Sequence, residues 1–198
     1  MSGILRALAT LSAVALLTAC GQAPTVALRQ TSIPLPPPAP TAPPADPLTI
    51  GDAAVDTTSG WLPDGVTLSP IEDAANPILA QLDPNLLRAV QDAARAAAAD
   101  GVELNVTSGW RSPGFQQRLF DDAVRTYGSW DRAAELVATP EVSKHVTGQA
   151  VDIGPAAADH WLIANGQRFG LCQIYANEIW HFELVSGPCP PLLPNAAG

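Results

Sequence analysis

Basic residues are scarce in this chain of 198 residues, which has ten lysines and arginines against 19 aspartates and glutamates and a formal net charge of −9. So acidic a chain disfavours electrostatic binding to nucleic acid or to an anionic membrane surface, and we expect no nucleic-acid partner. The chain also lacks internal repeats and the motif His-Glu-x-x-His, and it has only three histidines. Its apolar run at residues 7–17 is too short for a membrane-spanning helix.

The N-terminus has the pattern of an exported protein. Arg6 precedes the apolar run, which leads into Leu17-Thr18-Ala19-Cys20. This ending resembles the lipobox of bacterial lipoproteins, which implies cleavage after residues 1–19 and lipidation of Cys20. The alternative is an ordinary secretory signal with a cysteine near its cleavage point. Cleavage would remove one cation and no acid, which leaves nine basic against 19 acidic residues.

A proline-rich segment follows the cysteine. Nine of the 27 residues from 21 to 47 are proline, so this segment cannot form a helix or the interior of a sheet. We expect residues 20–47 to be a lipidated cysteine followed by an extended stalk, which reaches about 3.1 Å per residue. Residues 48–82 form a lead-in segment of undefined structure, and residues 190–198 an irregular tail.

Three cysteines are present, so Cys172 and Cys189 remain if Cys20 is lipidated. Outside the cytoplasm an even pair of cysteines indicates a disulfide bond. The 17-residue separation would give about 3 kcal/mol of stabilisation in the chain-entropy model. The alternative is that one of these thiols binds a metal.

Helices alternate with short strands from residue 83 to residue 189. Asp83, Ser112 and Ser129 each precede a helical pattern as a candidate N-cap. The predicted helices are 84–100, 113–127, 130–138 and 157–168, and the predicted strands are 102–108, a strand around Asp152, 171–175 and 179–185. A short turn at Asn177 makes the last two strands an antiparallel hairpin. The pattern predicts an α+β domain with a small, mostly antiparallel sheet packed with helices.

Two segments carry residues that could form a metal site. His145 and Asp152 lie seven positions apart across a turn that contains glycine, and Glu178 precedes His181 by three positions. Zinc accepts two imidazole nitrogens and a carboxylate oxygen while a fourth position stays open, and a nearby glutamate can act as a base. On spacing alone, His145 and Glu178 could instead be solvated surface residues. His160 is better explained as a partly exposed helix residue.

These segments resemble the VanY-type D-alanyl-D-alanine carboxypeptidases, which are zinc metallopeptidases of bacterial cell-wall metabolism. The resemblance covers about residues 84–185. Its motifs are Ser-x-His-x-x-Gly-x-Ala-x-Asp at 143–152, Glu-x-Trp-His at 178–181, and Ser-Gly-Trp-Arg-Ser with Gln116 at 108–116. Trp110 replaces the more usual tyrosine. The resemblance implies a D,D-peptidase or Hedgehog-like zinc peptidase fold for residues 83–189.

The resemblance also implies a role for each matching residue. His145, Asp152 and His181 would bind zinc, and Glu178 would be the general base. Arg111 would stabilise the oxyanion or hold the substrate, although a structural ion pair is an alternative. Ser143 and Gln116 would contact the substrate, and Ser143 could instead cap a turn.

The expected function is zinc-dependent hydrolysis of the terminal D-Ala-D-Ala bond of peptidoglycan stem peptides. Alternatives are an L,D-carboxypeptidase, a dipeptidase or an endopeptidase with the same chemistry, or a non-catalytic module that binds the cell wall. We expect a monomeric lipoprotein of the cell envelope, outside the cytoplasm, which touches the membrane only through its N-terminal lipid.

Overall fold

A computed structural model describes residues 49–50, 53–54 and 58–197 of the chain. It confirms the predicted α+β class, because helices pack around a four-stranded antiparallel sheet. The signal segment, Cys20 and the stalk predicted at residues 1–47 lie outside the described residues.

The elements follow one another in an order close to the predicted one. The helices are α1 Pro77–Ala80, α2 Pro84–Ala99, α3 Pro113–Tyr127, α4 Trp130–Ala134 and α5 Ala156–Asn165, with a 3-10 turn at Gly166–Phe169. The strands are β1 Thr49–Ile50, β2 Ala53–Ala54, β3 Asn105–Ser108, β4 Ala150–Gly154, β5 Leu171–Gln173 and β6 His181–Leu184. Strands β1 and β2 pair with each other, apart from the main sheet.

The main sheet has the order β3-β4-β6-β5, and each neighbouring pair is antiparallel. Strands β4 and β6 are therefore the two middle strands, with both of their edges hydrogen-bonded. Their register sets Asp152 directly opposite His181. Residues opposite each other on antiparallel strands have their Cβ atoms about 4.5–5.5 Å apart, so two of the predicted ligands meet across the centre of the sheet.

Helix α2 covers the face of the sheet opposite the one that carries Asp152 and His181. The Asp83 carboxylate caps it by accepting from the backbone N–H groups of Asn85 (2.8 Å) and Leu86 (3.3 Å). Its buried face contributes Leu86 and Val90 to the main core. The same core contains Val151, Ile153 and Phe182, which alternate along β4 and β6 with the residues that face the site.

The segment before α2, predicted only as a lead-in, contributes to this core. Ile78 and Leu79 of α1 are completely buried, and Leu68 forms a bridge with Val106 of β3. Two backbone hydrogen bonds connect the segment to the loops of the candidate site. Trp110 donates to the carbonyl of Ile78 (3.0 Å), and Asp83 donates to that of Gly148 (2.8 Å).

Several predicted elements are shorter in the structure. The strand predicted from Val102 begins at Asn105, because the Val102 N–H still donates to the Ala97 carbonyl at the end of α2. Helix α4 ends at Ala134, not Ala138, and the Ala138 carbonyl accepts from the Gln116 side chain instead. The strands predicted at 171–175 and 179–185 are 171–173 and 181–184, and the helix predicted at 157–168 becomes 3-10 at Gly166.

Cys172 and Cys189 form a disulfide bond, with their Cα atoms 5.5 Å apart. The tail beyond the bond was predicted to be irregular, but part of it pairs with the chain after β5. Leu193 donates to the Ile174 carbonyl (2.9 Å) and accepts from Ala176 (2.8 Å), which forms a parallel bridge at Tyr175. Among the described residues, no helix combines the length and the apolar character needed to cross a membrane.

Candidate active site

The three predicted metal ligands converge on one point. His145 lies in the turn at residues 144–148, Asp152 on β4 and His181 on β6, and all three side chains are buried. His145 Nε2, His181 Nδ1 and Asp152 Oδ1 form a triangle in which each pair of atoms is 3.3 Å apart. Two imidazoles and a carboxylate therefore direct one donor atom each toward a common centre.

Gly148 allows the turn that brings His145 back toward Asp152. Its φ of +70° is in the left-handed region, where residues other than glycine are disfavoured. A Cβ atom here would also lie 2.4 Å from the Gln81 carbonyl oxygen. Glycine is therefore required twice, by the backbone conformation and by the close approach of the segment before α2.

Each imidazole has its second ring nitrogen occupied by an acceptor. His145 Nδ1 lies 2.7 Å from the carbonyl oxygen of Gly109, and His181 Nε2 lies 3.2 Å from Oε1 of Glu183. A ring N–H donated to these acceptors leaves the lone pairs of His145 Nε2 and His181 Nδ1 directed into the triangle. Glu183 was not predicted from the sequence. Its position two residues after His181 on a strand, and hence on the same face, is the signal that could have found it.

Arg111 borders the triangle and is held by three side chains. It donates to Asp152 Oδ2 (2.8 Å), to Ser108 Oγ (2.9 Å) and to Gln116 Oε1 (3.2 Å). Gln116 in turn donates to the Ala138 carbonyl (2.7 Å). The junction between β3 and α3 thus presents a fixed guanidinium beside the predicted ligands. Arg111 was predicted either to act on the substrate or to form a structural ion pair. Its ion pair with Asp152 is compatible with both roles, because Asp152 is itself one of the predicted metal ligands.

Glu178 lies in the connection between β5 and β6, with Oε2 3.8 Å from His181 Nδ1. Burial raises the pKa of Glu178, and the Asp152 carboxylate also raises it. A carboxyl group with a raised pKa is a better proton acceptor near neutral pH than an ordinary glutamate. Tyr175 packs against the His181 ring, with ring centroids 5.0 Å apart, and was not identified from sequence.

Opposing effects set the charges of the triangle. Burial would raise the pKa of Asp152, but His145, His181 and Arg111 outweigh this effect and hold it well below its usual range. Burial lowers the pKa of His145, and the nearby Arg111 cation lowers it further. Burial also acts to lower the pKa of His181, yet its hydrogen bonds to Asp152 and Glu183 raise it to about 9. The carboxylate is therefore ionised and His145 is a neutral donor at neutral pH.

A cavity of about 240 Å³ opens over these groups. The predicted residues that line it include Arg111, Gln116, Ser143, His145, Asp152, Glu178 and His181. Apolar walls are added by Leu119, Leu136, Val137, Trp180 and, from the tail, Ala196. Ser143 is buried in its wall. Every residue that was predicted for catalysis, substrate contact or metal binding thus borders one cavity.

The remaining candidates lie elsewhere. His160 is exposed on α5, and Cys172 and Cys189 are joined to each other, which excludes the alternative of a metal-binding thiolate in this state. Cys20 lies outside the described residues.

The dimensions of the triangle fit zinc. Zinc bonds to histidine nitrogen and carboxylate oxygen are about 2.0–2.2 Å long, so neighbouring ligands of a tetrahedral site are about 3.3–3.5 Å apart. The observed separations are 3.3 Å. A donor set of two nitrogens and one oxygen suits a catalytic zinc ion with an open position.

Comparison with known families agrees with this geometry. The model of the family described as VanY, D-alanyl-D-alanine carboxypeptidase, matches residues 79–186, which contain every proposed ligand together with Glu178 and Arg111. The chain belongs to the VanY family. The match begins within α1, so it includes part of the segment that the motifs had not covered.

Individual proteins also resemble part of the chain. A D-alanyl-D-alanine carboxypeptidase of Enterococcus faecalis (strain ATCC 700802 / V583) is 33% identical over 130 residues, which cover 53% of this chain and 48% of that protein. A zinc-bound crystal structure of a mutant D,D-pentapeptidase VanY, from a VanB-type vancomycin resistance cassette, matches with a TM-score of 0.50 and 32% identity, covering 53% of this chain and 73% of that one. VanYB in complex with D-alanine-D-alanine also matches with a TM-score of 0.50, at 31% identity over 53% and 72% of the two chains.

The similarity is confined to part of these relatives. The chain spans less than half the length of the curated relatives it matches. A vancomycin resistance D,D-dipeptidase, VanXYg, shares the fold with a TM-score of 0.50 at 24% identity, covering 68% of this chain and 62% of that one. A shared fold therefore does not by itself assign a substrate.

Proposed function

We propose that this protein is a zinc-dependent D,D-carboxypeptidase that removes the terminal D-Ala from peptidoglycan stem peptides. The observation that carries the proposal is the triangle of His145, Asp152 and His181, with Glu178 and Arg111 in the same cavity. Two VanY structures of similar sequence support it, one with Zn(II) and one with D-alanine-D-alanine. The cavity volume of about 240 Å³ lies below the usual range for larger ligands, which suits the end of a short peptide.

His145 Nε2, His181 Nδ1 and Asp152 Oδ1 would hold the metal. Bound zinc would act as a Lewis acid, polarising the scissile carbonyl and lowering the pKa of water toward about 7. Asp152 divides its two oxygens between tasks, because Oδ1 faces both imidazoles and Oδ2 accepts from Arg111. The guanidinium thus orients the carboxylate so that one oxygen points into the triangle.

Glu178 would act as the general base. Its carboxylate takes a proton from the attacking water as the water oxygen bonds to the peptide carbonyl carbon. When the carbon–nitrogen bond breaks, the same proton passes to the leaving amine of D-Ala. The burial of Glu178 supports this role, because it keeps the proton affinity high.

Arg111 would stabilise the negative charge that develops on the carbonyl oxygen. Its three hydrogen bonds fix the guanidinium before substrate arrives, and a fixed cation stabilises developing charge without reorganisation. We retain Ser143 as a substrate contact, because it lines the cavity. Gln116 also borders the cavity, and its amide group already bonds Arg111 and Ala138.

We further propose that the protein is a monomeric lipoprotein of the cell envelope. Residues 1–19 would be the signal peptide, Cys20 the lipidated residue, residues 20–47 the anchor and stalk, 48–82 the lead-in, 83–189 the peptidase domain and 190–198 the tail. Two or more acyl chains anchor a protein stably, whereas one does not. The lipobox-like residues 17–20 and the nine prolines in residues 21–47 support this arrangement, which would allow the domain to reach the wall. Mass spectrometry of membrane-extracted protein should find Cys20 acylated and N-terminal, and a Cys20→Ser variant should leave the membrane fraction.

The experiment for the activity uses purified, zinc-loaded protein and a synthetic stem pentapeptide that ends in D-Ala-D-Ala. Mass spectrometry should detect free D-Ala and the tetrapeptide, and a matched peptide ending in L-Ala-L-Ala should remain intact. Glu178→Gln should retain zinc and lose about 10²–10⁴-fold in kcat, because the amide cannot accept the proton.

Other products would point to the alternatives. Release of the dipeptide would indicate a dipeptidase, loss of D-Ala only from a tetrapeptide an L,D-carboxypeptidase, and cleavage of a cross-linked dimer an endopeptidase. Full activity of Glu178→Gln would refute the proposed base. Wall binding without hydrolysis of any of these substrates would indicate a non-catalytic module.

A further inference from the structure

Glu183 lies on the side of the His181 ring opposite the ligand triangle. Its Oε1 is 3.2 Å from His181 Nε2, while Nδ1 of the same ring is 3.3 Å from Asp152 Oδ1. The ring is therefore placed between two carboxylates, one on each nitrogen. Only one of them, Asp152, is among the candidate ligands.

To bind a metal, His181 must release one of its two ring protons, and the two carboxylates then compete for the proton that remains. If the proton is on Nδ1, it is donated to Asp152 Oδ1. This hydrogen bond then occupies Nδ1 and Oδ1, two of the three atoms that would bind the metal. If it is on Nε2, it is donated to Glu183, and the lone pair of Nδ1 points into the triangle. A hydrogen bond from the outer nitrogen is the usual means by which a protein selects the tautomer of a histidine ligand.

We propose that Glu183 is a positioning residue that selects the metal-binding tautomer of His181 and fixes the orientation of its ring. The inference rests on the proposed zinc site at His145, Asp152 and His181. It adds to that site a residue that contacts neither the metal nor the substrate.

The strand explains why Glu183 can perform this role. Residues 181 and 183 lie on one face of β6, while Phe182 between them points into the core. The backbone of Glu183 pairs with Ala150 of β4 and Cys172 of β5, so it is fixed from both sides. Its side chain is only 15% exposed, and limited solvation strengthens a charge-assisted hydrogen bond.

His145 has a different acceptor for its outer nitrogen. The Gly109 carbonyl oxygen, 2.7 Å from His145 Nδ1, is a backbone atom that no side-chain substitution removes. Of the two acceptors, only the Glu183 carboxylate can be removed by substitution. Its removal should affect His181 and leave His145 unchanged.

The test is zinc affinity, measured by competition with a chromophoric chelator at fixed pH, for the wild type, Glu183→Ala and Glu183→Gln. The alanine variant should bind zinc about 10–100-fold more weakly. The glutamine variant should recover most of that loss, because its amide oxygen can still accept from Nε2. Glu72→Ala is the matched control, since it removes one exposed carboxylate that does not line the cavity and should bind zinc like the wild type.

A second readout reports the tautomer directly. In long-range ¹H–¹⁵N spectra of the zinc-loaded wild type, His181 should show a protonated Nε2 that exchanges slowly with solvent. In Glu183→Ala this N–H should exchange faster. Thermal unfolding of each zinc-free variant checks that the fold is retained.

The outcomes separate this inference from the proposed function. A wild type that binds no zinc would overturn the proposed function. A wild type that binds zinc while Glu183→Ala binds it within about twofold would overturn the role of Glu183 alone. Equal weakening in Glu183→Ala and Glu183→Gln would also overturn it, since the amide oxygen preserves the acceptor.

Discussion

Asp152 shows how a single residue can combine two functions in the site. One of its oxygens faces the imidazoles of His145 and His181, and the other accepts a hydrogen bond from Arg111 at 2.8 Å. A buried carboxylate would be unfavourable without such partners. The guanidinium therefore stabilises the ionised carboxylate and also limits how Asp152 can rotate.

Asp159, on α5, is a second buried carboxyl group and lacks comparable support. Its Oδ1 has no hydrogen-bond partner, and burial together with repulsion from Asp152 raises the pKa of Asp159 to about 6, against 3.8 for an ordinary aspartate. The folded state therefore binds the proton more tightly than the unfolded state. It follows that the free energy of unfolding falls as pH rises from about 4 to about 6, and the penalty remains in full above that range.

We predict that Asp159→Asn is more stable than the wild type at pH 8, by up to about 3 kcal/mol, because the amide carries no charge. The difference should shrink toward zero at pH 4, where the wild-type carboxyl is protonated. Urea unfolding of the metal-free proteins at pH 4, 6 and 8 measures it. Asp64→Asn, an exposed control, should show no such trend. An Asp159→Asn difference that is independent of pH would contradict the assignment.

Among individual residues, those that belong to a family motif could be predicted from the sequence. Residues whose role depends only on contacts in the folded protein were missed. The three candidate ligands, Glu178 and Arg111 could be named because their order and spacing match a family pattern. Glu183 and Tyr175 were missed because their importance depends on which side of the His181 ring they approach. That direction follows from the strand register and the turn after β5, which spacing alone does not specify.

Among the elements, the turn at residues 144–148 connects the site to the segment before α2. Gly148 lies at φ +70°, and its Cα faces the Gln81 carbonyl and the Leu82 Cα so closely that a Cβ would come within 2.4 Å and 3.2 Å of them. The neighbours are backbone atoms, which cannot rotate away. A side chain at position 148 would therefore force the turn and the backbone at residues 81–82 apart.

We predict that Gly148→Ala destabilises the protein by about 2–5 kcal/mol, as the sum of the left-handed backbone cost and the cost of overpacking. Gly65→Ala is the matched control, because Gly65 has φ +77° but nothing within 4 Å of its Cβ position. It should cost only the backbone term, about 1–2 kcal/mol. Chemical denaturation measures both, and equal losses would show that the close contact has no effect.

The Cys172–Cys189 bond holds the tail against the hairpin, and Ala196 of that tail lines the cavity. We predict that the double variant Cys172→Ser, Cys189→Ser loses about 3 kcal/mol of stability, because the 17-residue loop is no longer closed in the unfolded chain. Calorimetry should show a lower Tm. KM for the peptide should rise more than kcat falls, because the tail forms a wall of the cavity and carries no proposed catalytic group. An unchanged KM would argue against this role for the tail.

The starts of the predicted helices agree closely with the structure, and the strand ends do not. Asp83, Ser112 and Ser129 cap the helices that their positions predicted, because capping is a local interaction within three residues. Strand ends depend on partners far along the chain. Leu68, for example, pairs with Val106 in the structure, and neither residue's immediate neighbours indicate this contact.

For the molecule as a whole, the proposed metal would act as a cross-link. Its ligands come from a turn and from two strands that are joined in sequence by α5 and β5. The three buried side chains of the triangle direct atoms toward one another at separations of 3.3 Å. Any ion that binds the folded state and not the unfolded state adds to stability by mass action.

We predict that zinc raises the Tm of the chelator-treated protein, with a stabilisation of about 2.7 kcal/mol when free zinc exceeds its dissociation constant 100-fold. His145→Ala should lose this response, because one ligand is missing. His160→Ala should keep it, since His160 is exposed on α5 and is not one of the three residues grouped in the triangle. A Tm that zinc does not change in the wild type would contradict the site.

The order of strands in the sheet also separates the parts of the protein that can be altered from those that cannot. The candidate ligands Asp152 and His181 belong to the two inner strands, whereas the apolar walls come from α3, from loops and from the tail. Substitutions at Leu119, Trp180 or Ala196 leave the hydrogen-bonded ladder of β4 and β6 intact. The scaffold is therefore suited to engineering, because libraries limited to the walls could select for other peptide ends while the reactive centre stays unchanged.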